Sequence, residues 1–351
     1  MTSLSKRWGN ISKKLIPAFI REDYTPYDCK VSALKENYDL RARIVHAQNI
    51  IKTSINLKRI PFPHPIQCRT CLFDTRVPNI YIRRDGSCNM CHTYKKNLDV
   101  PLLKEELRQF LAREPEIGAK YDAIVAFSGG KDSTVSLCIA VQEFKLRVVA
   151  VLVDNGFIPQ EVIDNGHEIC NRLGVPLRIE KIDFAQKVKD LMKTRFATGY
   201  PCNVCTILFH EVLTKVCIET KVNRVILGRN WWRLLDPAVK AVRTVEPPGS
   251  NLKIDFMSLP FAMQLKEEDQ KRYLDPIGWK VKSIHGDSTN CLIPGLVEKI
   301  VYDRIGFHPE LNLLSREVIT GFISKEKATQ KIAKVKDLSP QLREMLNSKR
   351  D

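Results

Sequence analysis

Residues 123–136 read Ala-Ile-Val-Ala-Phe-Ser-Gly-Gly-Lys-Asp-Ser-Thr-Val-Ser, and this stretch decides the fold. The apolar run AIVAF has the length of a buried strand. A glycine pair follows it, and then a helical run from Asp132 to Val141. Two glycines let the backbone turn tightly and bring its N–H groups close to a ligand. The helix that follows points its positive end at the same spot. Ser128, Ser133 and Thr134 add hydroxyl groups, and Lys131 adds a positive charge. Together Ser128, Gly129, Gly130, Lys131, Asp132, Ser133 and Thr134 make a cradle for a pyrophosphate-sized anion. The GxxxxGK[ST] spacing of the Walker loop is absent, so this is a different phosphate loop.

Outward from the loop, strand and helix signals alternate. RVVAVLV (147–153), PLRIEKI (176–182) and RVILG (224–228) read as strands. Residues 160–173, 184–194 and 206–220 read as helices, and residues 101–112 form one more ahead of the first strand. Short apolar strands between amphipathic helices predict an α/β fold with a parallel sheet and helices on both faces. Ligands in such sheets sit at the carboxyl ends of strands, near the reversal of strand order. Asp154 and Asn155 end the second strand, so they either line a nucleotide site or form a polar turn. Gly228-Arg229-Asn230 is the analogous loop further on. Arg229 there suits a phosphate or equally an exposed surface.

The Ser-Gly-Gly-Lys-Asp-Ser run resembles the SGGxDS signature of the PP-loop ATP pyrophosphatases, the adenine-nucleotide α-hydrolase superfamily. That resemblance implies a HUP-like fold and cleavage of ATP between its α- and β-phosphates. It also implies that a substrate oxygen is adenylated. The nucleotide would lie on residues 128–134, Asp154, Asn155 and Gly228. Lys131 would meet the departing pyrophosphate, and Asp132 is the candidate carboxylate for Mg²⁺, which proteins hold through one or two carboxylates plus phosphate oxygens.

The chain has 11 cysteines, and seven of them are grouped. Cys68-x2-Cys71-x16-Cys88-x2-Cys91 has the spacing of a zinc ribbon, and two such knuckles complete a closed, structural four-sulfur site for Zn²⁺. His64 and His92 are substitute ligands close by. Asp85-Gly86 between the knuckles suits a hairpin turn. Cys202-x2-Cys205, in YPCNVC, and Cys291, in GDSTNC, form a second set. Three thiolates leave a zinc site short of a ligand, but suit a [4Fe–4S] cluster with one iron open. A persulfide on Cys202 or Cys205, resolved by the other, is a second reading. A third makes them buried cysteines of a helix start. Cys29, Cys138, Cys170 and Cys217 stand singly and read as small core residues.

The Pro-Cys-x-x-Cys with a later Ser-Thr-x-Cys resembles the cluster-dependent tRNA thiolases of the same superfamily. The resemblance implies catalytic roles for Cys202 and Cys205 and a sulfur nucleophile. The flanks resemble another branch, the N-acetyl sugar amidotransferases, in CRTCLFDTRVPNIYIRRDGSCNMCHTY (68–94) and in the tail from Gly306-Phe307 through LSREVITGFISKEKA. That resemblance implies ammonia from a glutaminase partner and an amidine product. PCNVC and STNC depart from the amidotransferases. NWWRLLD (230–236) replaces the His-Asn-acidic pattern of the thiolases.

The 351 residues, 44% hydrophobic and 27% charged, exclude a wholly disordered, collagenous or low-complexity chain. No apolar run nears the roughly 20 residues of a spanning helix. The amino-terminal stretch has no signal-like core, so the expectation is a cytoplasmic protein without a membrane partner. Four parts are expected. Residues 1–60 form a basic, partly helical extension, and 61–115 a zinc-knuckle module with a linker helix. Residues 116–240 form the ATP-binding domain, and 241–351 a small, partly helical region that completes the cluster and substrate site. The net charge of +16, with 12 Lys and Arg against 5 Asp and Glu in residues 1–60, favours an anionic substrate such as tRNA or a sugar nucleotide. A sulfur donor or a glutaminase would be the protein partner, with a homodimer left open. Trp231, Trp232 and Arg233 make either a stacking platform or a packing wedge. A zinc-bearing nucleic-acid-binding protein without enzymatic activity is a further alternative, though it leaves Cys202, Cys205 and Cys291 without a role.

Overall fold

The computed structural model describes residues 64–77, 80–94, 100–182, 201–229, 241–279, 290–291, 298, 302, 306–308 and 310–333, apart from the side chains of 93–94 and 201–207. Six strands form one sheet: β1 (Ala123–Ala126), β2 (Val148–Asp154), β3 (Leu177–Lys181), β4 (Arg224–Leu227), β5 (Val242–Val245) and β6 (Ile254–Ser258). Their order is β3-β2-β1-β4-β6-β5. The first five strands in that order are mutually parallel, and β5 pairs antiparallel with β6 at the edge. The predicted α/β sheet is therefore present, with one antiparallel edge strand.

Among the described residues the helices are α1 (Asn89–Tyr94), α2 (Val100–Ala112), α3 (Lys131–Gln142), α4 (Gln160–Leu173), α5 (Pro201–Thr220), α6 (Leu259–Met263), α7 (Glu267–Leu274), α8 (Leu311–Ile319) and α9 (Lys325–Ile332). The predicted helix at 184–194 and the extension 1–60 lie outside the described residues, as do Cys29, Trp231, Trp232 and Arg233. Helix α5 begins at Pro201, five residues before the expected start at Thr206, so Cys202 and Cys205 lie within its first turns. Proline suits a first helical turn because its missing N–H has no partner there anyway.

Strand alternation sorts the core into two layers. Ile124, Val149, Val151, Val153, Val225, Ile254 and Phe256 pack with Leu213, Val216 and Cys217 of α5. Ala123, Val125, Val148, Ala150, Ile226 and Met257 pack with Val135, Leu137 and Ile139 of α3 and with Ile169 of α4. Apolar cover on both faces explains why these strands read as continuous hydrophobic runs. Cys138, Cys170 and Cys217 are buried as expected of core residues. Burial pushes the Cys138 and Cys170 thiols up to about 12.

The four-cysteine module shares this core. Leu72, Phe73, Val77 and Ile80 belong to the same buried cluster as Phe110 of α2 and Leu311 and Leu314 of α8. Lys325 of α9 donates to the backbone carbonyls of Cys68 (2.9 Å) and Arg69 (3.0 Å). Arg76 reaches the carbonyl of Gly306. The first knuckle is thus tied to the carboxyl-terminal helices.

Candidate active site and metal centre

The order of the strands reverses at β1. The chain runs from β1 to β2 on one side and later returns to β4 on the other. The carboxyl ends of β1 and β4 therefore face the crevice where ligands of open α/β sheets bind. The glycine-rich loop leaves β1 at this point and α3 begins at Lys131. Gly129 has φ +73°, and a Cβ there would come within 2.8 Å of Val162 Cγ1. Both conditions require glycine. Gly130 caps the helix with extended backbone and no side chain. Ser133 Oγ ties the loop together, accepting from Ser128 N (3.1 Å) and donating to the Gly130 carbonyl (3.0 Å). Thr134 Oγ1 donates to the same carbonyl at 2.9 Å. Both hydroxyls are buried and fasten the loop in this structure. Lys131 and Asp132 remain half-exposed at the first turn.

Gly228, after β4, packs on the loop. A Cβ there would lie 2.6 Å from Ser133 N and 2.8 Å from the carbonyl carbon of Asp132. The two strand ends therefore meet with no room for a side chain. Arg229 follows, half-buried, and its charge acts on His210 of α5 together with that of Arg243. Desolvation and these two guanidiniums push the His210 imidazole down to about 3, which keeps it neutral at physiological pH. Its ring centroid lies 4.9 Å from that of Phe256.

At the end of β2, Asp154 Oδ1 accepts from Gly156 N and Asn155 Oδ1 from Phe157 N, each at 2.9 Å. The Asn155 amide also donates to Cys291 Sγ at 3.6 Å. Cys291, far along the chain, is thereby brought to the carboxyl end of the sheet. Helix α5 ends at Thr220, just before β4 starts at Arg224. Its opposite end, which carries Cys202 and Cys205, therefore lies on the carboxyl side of the sheet. The side chains of both cysteines lie outside the described residues, as do residues 286–289.

Several residues around the loop carried no sequence expectation. Trp279 Nε1 donates to the Gly129 carbonyl at 3.3 Å, and Gln270 Nε2 to Asp132 Oδ1 at 3.0 Å. The Phe322 ring lies 5.2 Å from Lys131 Nζ. Gln270 belongs to α7, whose sequence EEDQKRYL starts acidic and ends basic. That charge order is a legible helix signal. The contacts themselves have no local signature.

The second centre is compact. The sulfurs of Cys68, Cys71, Cys88 and Cys91 all lie within 4.8 Å of one another, and all four residues are buried. Cys68 Sγ and Cys91 Sγ are 3.8 Å apart, and Cys71 Sγ and Cys88 Sγ 3.7 Å. A tetrahedral ion with metal–sulfur bonds of about 2.3 Å has sulfur–sulfur edges of about 3.8 Å. The set therefore fits one four-coordinate ion. Backbone N–H groups of Thr70 and Cys88 donate to Cys68 Sγ, and that of Cys91 to Cys88 Sγ. These bonds favour thiolate. Within the set, the hydrogen bond shared by Cys71 and Cys88 pushes the Cys88 thiol down and the Cys71 thiol up. The turn at Asp85-Gly86 closes with Arg83 N donating to the Ser87 carbonyl at 2.8 Å. His92 is half-buried and His64 exposed, and neither belongs to the ligand set.

Residues 122–198 match the family model of the queuosine biosynthesis protein QueC. The match begins at β1 and contains the whole glycine-rich loop. The likeness is to a PP-loop family and covers the loop with the strands and helices that follow it. Over 78 residues the chain is 35% identical to the 7-cyano-7-deazaguanine synthase of Pyrococcus abyssi, a match that covers 22% of this chain and 32% of that enzyme. A longer likeness joins the chain to protein MJ1599 of Methanocaldococcus jannaschii, 29% identical over 276 residues, or 77% of this chain and 94% of that one. Among solved structures, the U34-tRNA thiolase NcsA from Methanococcus maripaludis with its [4Fe-4S] cluster overlays on 73% of this chain and 86% of its own. That overlay has 19% identity and a TM-score of 0.38. No helix among the described residues is long and apolar enough to cross a membrane.

Proposed function

We propose that this protein is an ATP-dependent adenylating enzyme that replaces a substrate carbonyl oxygen with sulfur. ATP would bind with its phosphates over residues 128–134 and with Mg²⁺ at Asp132. The substrate oxygen attacks the α-phosphorus, and pyrophosphate leaves. Lys131 and the loop N–H groups meet its charge in a preorganised site. Hydrosulfide then attacks the substrate carbon, a proton is lost, and AMP departs with the oxygen. Adenylation serves because AMP is a far better leaving group than oxide. The PP-loop match and the glycine geometry at Gly129 and Gly228 support the ATP half of this reading.

The sulfur half rests on one observation. Cys291 lies in hydrogen-bond contact with Asn155, at the strand ends beside the phosphate loop. In this reading Cys202, Cys205 and Cys291 hold a [4Fe–4S] cluster, and an open iron is the feature such a cluster supplies for binding sulfide. Zn²⁺ on Cys68, Cys71, Cys88 and Cys91 would be structural, because a closed four-sulfur site has no open position. The substrate is anionic, a tRNA or a nucleotide-linked molecule, and residues 1–60 would supply part of its contact surface. The four-part division of the chain at residues 60, 115 and 240 belongs to the same reading.

Anaerobic purification tests it. The expected protein is brown, contains about four irons besides zinc, and copurifies with RNA that salt releases steeply. Cys291→Ala should abolish thiolated product and bleach the visible band, yet leave ATP binding unchanged. A colourless protein after anaerobic reconstitution would sink the cluster. Incorporation of glutamine-derived nitrogen in place of sulfur would favour the amidating branch.

A further inference from the structure

The phosphate loop is contacted at three residues by side chains from beyond residue 260. Trp279 holds the Gly129 carbonyl, Phe322 lies over the Lys131 ammonium and Gln270 donates to the Asp132 carboxylate. Two of these contacts join residues 150 and 138 positions apart. Gln270 is the most enclosed of the three, with 0% exposure. It sits on α7, which packs along α3. Further bonds fix that packing: Tyr273 OH donates to Glu143, and Arg172 holds the carbonyl of Ile277 in the turn that follows. Gln270 and Trp279 therefore stand on a braced segment.

A carboxylate at the first turn of a helix is free to rotate about two torsions. An ordered donor on one oxygen removes that freedom, and hydrogen bonds to charged groups are the stronger kind. The chemistry of the donor matters as well. A lysine or arginine at position 270 would neutralise Asp132 and compete with a cation. A glutamine amide orients the carboxylate and leaves its charge in place.

We propose that Gln270 is a positioning residue that presents Asp132 to the Mg²⁺ of bound ATP, with Trp279 fixing the loop carbonyl beside it. The proposal rests on the Mg-ATP reading above. It makes the carboxyl-terminal region part of the phosphate site in a way the loop motif does not disclose.

The test is Mg²⁺ titration of ATP binding and pyrophosphate release in the full chain. Gln270→Met keeps the length of the side chain and removes the donor. It should raise the Mg²⁺ concentration for half-maximal activity by about tenfold to a hundredfold, with most of the rate restored at saturating Mg²⁺. Trp279→Phe should weaken ATP binding without changing the Mg²⁺ requirement. If Gln270→Met folds poorly, Gln270→Leu is the second variant, read in the same titration. A lowered melting temperature with an unchanged Mg²⁺ requirement in either variant would make Gln270 a packing residue and overturn the inference. Wild-type protein that binds no ATP at any Mg²⁺ concentration would instead overturn the reading beneath it.

Discussion

Gly228 meets two demands at once, and its sequence signal disclosed one of them. The Gly-Arg-Asn after the fourth strand pointed to a ligand loop. The close approach of its backbone to Ser133 and Asp132 had no local trace, because it joins two strand ends about a hundred residues apart. Gly228→Ala would place a Cβ 2.6 Å from Ser133 N. Overpacking of this kind costs about 1–3 kcal/mol. The expected result in calorimetry is a lowered melting temperature together with weakened ATP binding, since the atom displaced belongs to the phosphate loop. A variant with unchanged ATP affinity would show that the loop does not hold the nucleotide. The hydroxyls teach the complementary lesson. Ser133 and Thr134 were legible as loop residues, but their burial and their bonds to the Gly130 carbonyl depend on the local backbone path.

At the scale of elements, the buried apolar strands and the helices between them read well from the sequence, and the edge of the sheet did not. β1 to β4, α3 and α4 follow the expected order and nearly the expected bounds. Strands β5 and β6 were missed. β5 (VRTV) carries polar residues and is only partly buried, and the prolines at 247 and 248 in their connection mask the pairing. The knuckle module was legible from its spacing alone. Its dependence on α9 was not, because Lys325 reaches the Cys68 and Arg69 carbonyls from the far end of the described chain. That tie yields a prediction. Structural metal binding is itself folding free energy, so chelation should lower the melting temperature by several degrees. Amide exchange should then speed up at residues 311–332 as well as at 68–91. Faster exchange confined to the knuckles would show the two elements to be independent.

Across the whole molecule, the sequence carried the layered α/β plan and its phosphate loop, while tertiary packing decided what surrounds the loop. The carboxyl-terminal region supplies Gln270, Trp279 and Phe322 to Asp132, Gly129 and Lys131, and the same region braces the four-cysteine module. The net charge of +16 is only partly explained by a phosphate site. The surplus in residues 1–60 belongs with a large anionic partner in the function proposed here. The central claim, adenylation on this loop, is tested most directly by phosphorus NMR of the products from Mg-ATP turnover with substrate present. The account predicts AMP and pyrophosphate in equal amounts, both lost in Lys131→Ala. Formation of ADP and phosphate by the purified wild-type protein would contradict it.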